Sequence, residues 1–175
     1  MIRSAGALAL MSVLLVSGVD AADTLTPADG APVAPSCALQ VENGQAPVDF
    51  TPYRGRVVYV DFWASWCGPC RQSFPFMNEL QSALADQGLT VLAINLDEEP
   101  ADAQQFLASH AAGFTVVAGT NQACATAFQV QAMPSSYLID RAGRVRYIHH
   151  GFRAGDAELL RALTETLLAE QPPTP

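Results

Sequence analysis

The sequence predicts an α/β domain: a mixed central sheet with helices on both faces and a small hairpin at its N-terminal end. Three observations carry this. RVVYVDFW (56–63) and LTVLAINL (89–96) are apolar, β-branched runs of strand length, and such runs read as buried strands. Stretches with helical spacing follow each of them. The chain then ends on two strand-like runs and an amphipathic segment, an order that suits a sheet covered on both sides.

The elements follow in order. CALQV (37–41) and APVDF (46–50) flank Asn43-Gly44, a hairpin turn signal. A helix runs from Gly68 to Gln87 and is stopped by Gly88. EEPADAQQFLASHAA (98–112) is a helix with Pro100 in its first turn, where a missing N–H costs nothing. FTVVA (114–118) is a short strand. NQACATAFQV (121–130) is a short helix with Asn121 as its N-cap. SSYLID (135–140) and RVRYIHHG (144–151) form an antiparallel hairpin around RAG. The closing helix, 154–170, places Leu159, Leu160, Leu163, Leu167 and Leu168 on one stripe.

Half of the 175 residues are hydrophobic, enough for one domain with a proper core. The formal net charge is −8 and all nine basic residues are Arg. An acidic chain lacks the clustered positive charge that phosphate contacts need, so we expect no nucleic-acid partner. Met1-Ile2-Arg3 followed by an apolar run at 5–16 and the small-residue site VDA (19–21) reads as an export signal cleaved after Ala21. An uncleaved anchor is the alternative; a full span needs about 20 apolar residues, and Asp20 interrupts this one. Either way the body is exported, to the periplasm in a bacterium, where disulfides persist. Residues 22–36, rich in Ala and Pro, read as a flexible spacer. The folded domain is expected over 37–170, with 171–175 frayed.

WCGPC (66–70) carries the chemistry. Cys67 falls where a buried strand meets a helix, and Cys70 lies one turn inside. Unpaired N–H groups and the positive helix end favour a thiolate at Cys67. The spacing lets Cys70 close a disulfide. Cys67 would then attack a substrate disulfide and Cys70 would resolve the mixed disulfide. A structural zinc needs four ligands at suitable spacing; the other cysteines, Cys37 and Cys124, are solitary, and the histidines are His110, His149 and His150. No metal and no cofactor beyond the disulfide itself is expected. A purely structural disulfide fits poorly with Pro69 and the helix start.

VDFWASWCGPC resembles the active-site strand and helix of thioredoxin. The export segment, Phe74-Pro75, VLAINLDEEP, AMPSSYLIDRAGRV and HHGF are similar to the exported thioredoxin-like reductases of the TlpA/ResA family. The resemblance implies a thioredoxin fold and a thiol–disulfide oxidoreductase. Its substrates would be disulfides in exported proteins, with cytochrome c or copper-oxidase maturation as candidate roles. A membrane electron donor is implied, and we expect a monomer. Pro134 matches the family's cis-proline, leaving the Met133 backbone to pair with substrate beside Trp66, Gly68 and Pro69. Asp61 matches thioredoxin's buried Asp, the acid/base for Cys70, with Ala93 where thioredoxin has Lys. Ser73 stands where many family members carry Glu. Some relatives of that family carry an extra disulfide, and the resemblance implies a Cys37–Cys124 bond. Two other functions stay open: a disulfide oxidase or isomerase, and a copper-binding assembly protein using the cysteines with His149 or His150.

Overall fold

The computed structural model describes residues 26–41, 44–48, 50–117 and 122–171. The expected export segment, Asn43, Asn121 and most of the C-terminal tail lie outside them. Strands β1 (Cys37–Val41) and β2 (Gly44–Val48) pair antiparallel as a separate hairpin. The main sheet contains β3 (Val57–Trp63), β4 (Leu89–Asn95), β5 (Thr115–Val117), β6 (Ser135–Ile139) and β7 (Val145–His150) in the order β5-β4-β3-β6-β7. β3, β4 and β5 run parallel, while β6 and β7 run antiparallel to their neighbours. The helices are α1 (Gly68–Leu84), α2 (Pro100–Ser109), α3 (Gln122–Ala127) and α4 (Asp156–Ala169).

β3 is the central strand and is buried along its whole length. Successive side chains of a strand point to opposite faces. Tyr59 and Trp63 therefore join one core with Phe74, Met77 and Leu80 of α1, Phe106 of α2 and Leu160 and Leu167 of α4. Val58, Val60 and Phe62 join a second core with Cys37, Phe50, Cys124 and Phe128. α1 turns Cys70, Ser73, Phe74, Met77, Leu80 and Leu84 inward, the spacing of an amphipathic helix. It passes into a 3₁₀ turn over Ala85–Gln87, and Gly88 ends it at φ 102°, a backbone shape that glycine adopts without strain.

Two expectations need correction. The supposed spacer is docked over its described part. Thr26 N–H donates to the Arg146 carbonyl, Ala34 N–H to Gly143, and Val145 N–H to Pro32, all within 2.9 Å. Ala31 and Ala34 are buried, and Arg144 donates to the Ala31 carbonyl at 2.7 Å. β7 is an edge strand, and its unpaired backbone groups satisfy a chain too polar and Pro-rich to look structured. The packed body thus includes the segment from Thr26. At the other end, Arg146 pairs with Glu170 at 2.7 Å and Asp140 at 3.3 Å. The second correction concerns Leu159, which faces solvent; α4 buries Leu160, Thr164 and Leu167, with Leu163 and Leu168 packed alongside.

Candidate active site

The carboxyl end of β3 leads through Ala64, Ser65 and Trp66 into α1. Asp97, buried just past β4, holds this loop. Its carboxylate accepts the Ser65 N–H at 3.0 Å, the Ser65 hydroxyl at 3.0 Å and the Asn95 amide at 2.8 Å. The Cys67 N–H donates to the Ala64 carbonyl at 3.1 Å. The chain is thereby turned so that Cys67 becomes the N-cap of α1, its sulfur accepting the Cys70 N–H at 3.2 Å. Cys67 and Cys70 form a disulfide. Cys70 is sealed in the core and Cys67 is 4% exposed. Trp66, 68% exposed, and exposed Gly68 and Pro69 form the rim around them.

The Met133–Pro134 peptide bond is cis. Pro134 is buried and Met133 is half-buried, packed against both cores. Among the described residues the Met133 N–H and C=O make no hydrogen bond. A groove of about 660 Å³ runs between Met133 and Trp66. Leu96, Ala125 and Val130 line it on the apolar side, and Glu98, Glu99 and Asp102 form a wall with no ion-pair partner among the described residues.

Asp61 lies between Tyr59 and Trp63 in β3, so strand alternation turns it to the face covered by α1, where Cys70 is packed. Its cross-strand partners are Ala93 on β4 and Ser136 on β6. The Ser136 hydroxyl donates to Asp61 Oδ1 at 2.7 Å, and the Tyr59 hydroxyl donates to Ser136 at 2.9 Å. Oδ2 has no hydrogen-bond partner among the described residues. Burial pushes the Asp61 carboxyl up to about 7, against a smaller lowering by Ser136. Burial also raises Tyr59, as does the neighbouring Asp61 carboxylate.

The remaining candidates fall into place around this centre. Ser73 is buried and donates to the Cys70 carbonyl at 3.0 Å. Trp63 is wholly core, stacked edge-on to Phe74. Arg71 is exposed. His149 contacts Asp156 at 3.0 Å and His150 contacts Ser135 at 2.9 Å. Cys37 and Cys124 form a second disulfide on the opposite sheet face from Cys67–Cys70.

Residues 28–163 match the Redoxin family. The chain belongs to the Redoxin family. This redoxin is 35% identical over 101 residues to the thiol-disulfide oxidoreductase ResA of Geobacillus thermodenitrificans (strain NG80-2), covering 58% of each chain. To ResA of Bacillus subtilis (strain 168) it is 30% identical over 112 residues, covering 64% of this chain and 62% of that one. It thus spans about three fifths of the length of the curated relatives it matches. Among solved structures it is similar to a putative thiol:disulfide interchange protein DsbE from Chlorobium tepidum, with 43% identity, a TM-score of 0.74, and coverage of 79% of this chain and 97% of that one. The fold is the thioredoxin fold, and the resemblance to the ResA-type family holds.

Three parts of the site escaped the sequence reading: the Asp97 clamp, the Ser136–Tyr59 link and the acidic wall. Asp97 and Ser65 are 32 residues apart, so only their meeting at adjacent strand ends reveals the clamp. Ser136 could have been found by pairing AMPSSYL against VVYVDFW with Asp61 and Ser136 in register. The wall is legible as DEEPAD (97–102) once that loop is placed beside Trp66.

Proposed function

We propose that this redoxin is a thiol–disulfide oxidoreductase that reduces disulfides in exported proteins. The observation that carries this is the Cys67–Cys70 pair at the α1 N-terminus, with Cys67 just beneath the exposed rim of Trp66, Gly68 and Pro69 and Cys70 sealed in the core. Once reduced, Cys67 keeps the helix N–H groups that favour a thiolate. That thiolate attacks a substrate disulfide, forms the Cys67–substrate disulfide and releases the first substrate thiolate. Asp61, as a carboxylate, takes the proton of Cys70; a base poised near neutral pH suits this task. The Cys70 thiolate attacks Cys67, restores the intramolecular disulfide and releases the second substrate thiolate. Two electrons pass to the substrate, and a membrane dithiol donor returns two.

The Met133 backbone groups, unbonded among the described residues, can pair with an extended substrate segment as an added strand. Trp66 and the apolar side of the groove offer it a surface. Residues 1–21 serve as the export segment, which takes the body to the periplasm, and its substrates there belong to cytochrome c or copper-oxidase maturation. Gly68-Pro69 between the cysteines is the thioredoxin pair, whose potential is about −270 mV. The test is the midpoint of Cys67–Cys70 in defined thiol buffers at neutral pH. A value near or below about −230 mV fits a reductase; one above about −180 mV belongs to isomerases and oxidants and overturns the direction.

A further inference from the structure

We propose that Ser136, held by Tyr59, is a positioning residue: it ties down one oxygen of the Asp61 carboxyl and leaves the other as the oxygen that exchanges a proton with Cys70. This rests on the reading of Asp61 as the acid/base for Cys70. The argument is one of donors and acceptors. Asp61 has two cross-strand neighbours; Ala93 can donate nothing, so Ser136 is the hydroxyl donor between them. A hydroxyl has one proton to give. That of Ser136 goes to Asp61 Oδ1 at 2.7 Å, and its lone pair receives the Tyr59 proton at 2.9 Å. The chain of donation therefore runs Tyr59 to Ser136 to Asp61 and ends there.

When Asp61 is protonated, Oδ1 still accepts from Ser136, so the acidic proton sits on Oδ2, the oxygen with no other partner among the described residues. When it is ionised, Ser136 is its hydrogen bond to charge. Such a bond is stronger than a neutral one, and a donor polarised by a second bond is stronger still. All three residues are fully or almost fully buried, so no solvent competes for these bonds. The titratable groups around this spot are Tyr59 on β3, Cys70 on α1, Tyr147 on β7 and Asp156 on α4, the last paired with His149; β4 contributes Ala93.

The experiment uses the full chain and two readouts. The Asp61 carboxyl is titrated by carbon NMR in the oxidised protein, with Asp61→Asn identifying its signal. The pH profile of disulfide exchange is followed in the reduced protein by tryptophan fluorescence. Ser136→Thr and Ser136→Val are matched in shape and differ in the hydroxyl, so packing damage is common to both. We expect Ser136→Val to move both midpoints upward by about one pH unit, Ser136→Thr to stay near the parent, and Tyr59→Phe to move them the same way by less. If the Thr and Val variants titrate alike while Asp61→Asn removes the inflection in exchange, Ser136 has no positioning role and the proposal falls alone. If Asp61→Asn leaves that inflection in place, the acid/base reading of Asp61 fails, and this proposal with it.

Discussion

Asp61 on β3 faces Ala93 on β4 across the parallel pair, so a methyl group stands opposite a buried carboxyl. Burial holds the folded-state pKa at about 7; in the unfolded chain it returns to about 3.9. Between those values the folded chain binds more protons than the unfolded one, so this group lowers stability as pH rises through the window. The loss is absent near pH 3 and complete above pH 8, on the order of 4 kcal/mol. Asp61→Asn removes it. The oxidised variant should match the parent in acid and exceed it increasingly toward pH 8 in urea unfolding. A constant difference across that range would contradict the raised pKa.

Cys37 and Cys124 join the N-terminal hairpin to α3 across 87 residues of chain. Closing so long a loop limits the unfolded chain, and loss of such a bond commonly costs about 2–5 kcal/mol. The bond lies in the core on the far face of the sheet from Cys67 and Cys70. The double variant Cys37→Ala/Cys124→Ala should therefore unfold at lower denaturant while the Cys67–Cys70 midpoint stays where it was. A shifted midpoint would mean that the two faces are coupled through β3.

Asp97 meets the loop before Cys67 with three acceptor contacts to Ser65 and one to Asn95. Asp97→Ala removes the acceptor of the part-buried Ser65 N–H and one of the contacts of Asn95. The expected loss is about 1–3 kcal/mol in stability, with slower exchange because the Cys67 N-cap turn loosens. Asp97→Asn should rescue little, since its NH₂ group would face donors. Full activity and native stability in the alanine variant would show that the loop holds itself.

The strands and helices were readable because their patterns are local: a continuous apolar, β-branched run in VVYVDFW, helical spacing in α1, Gly88 at its end. Cys67 and Cys70 were readable because three residues of spacing at a strand–helix junction define their chemistry. The docking of 26–36 was not, because its bonds run through backbone groups of its own chain to β7 and the turn before it, and backbone groups leave no trace in side-chain identity. Leu159 was misplaced because five leucines overfill a stripe that burial narrows to Leu160, Thr164 and Leu167. Ser136 was hidden for a different reason. Its partner lies 75 residues away, and only the β3–β6 register brings the two together.

Glu98, Glu99 and Asp102 give the groove between Trp66 and Met133 one acidic wall, and among the described residues no arginine lines it. A substrate segment that carries Lys or Arg next to its cystine would be drawn to this side. Charge attraction of this kind acts mainly on the rate of encounter and weakens as salt screens it. With disulfide peptides matched except for charge, the cationic one should be reduced faster at low ionic strength, and the difference should shrink by 0.5 M salt, where the Debye length is only about 4 Å. Glu98→Gln/Glu99→Gln/Asp102→Asn should lower the rate on the cationic peptide roughly threefold to tenfold and leave the Cys67–Cys70 midpoint alone. Trp66→Ala should slow both peptides, because it removes apolar contact that neither charge replaces. Equal rates for the two peptides at low salt would remove the wall from substrate choice and leave the apolar side of the groove as the docking surface.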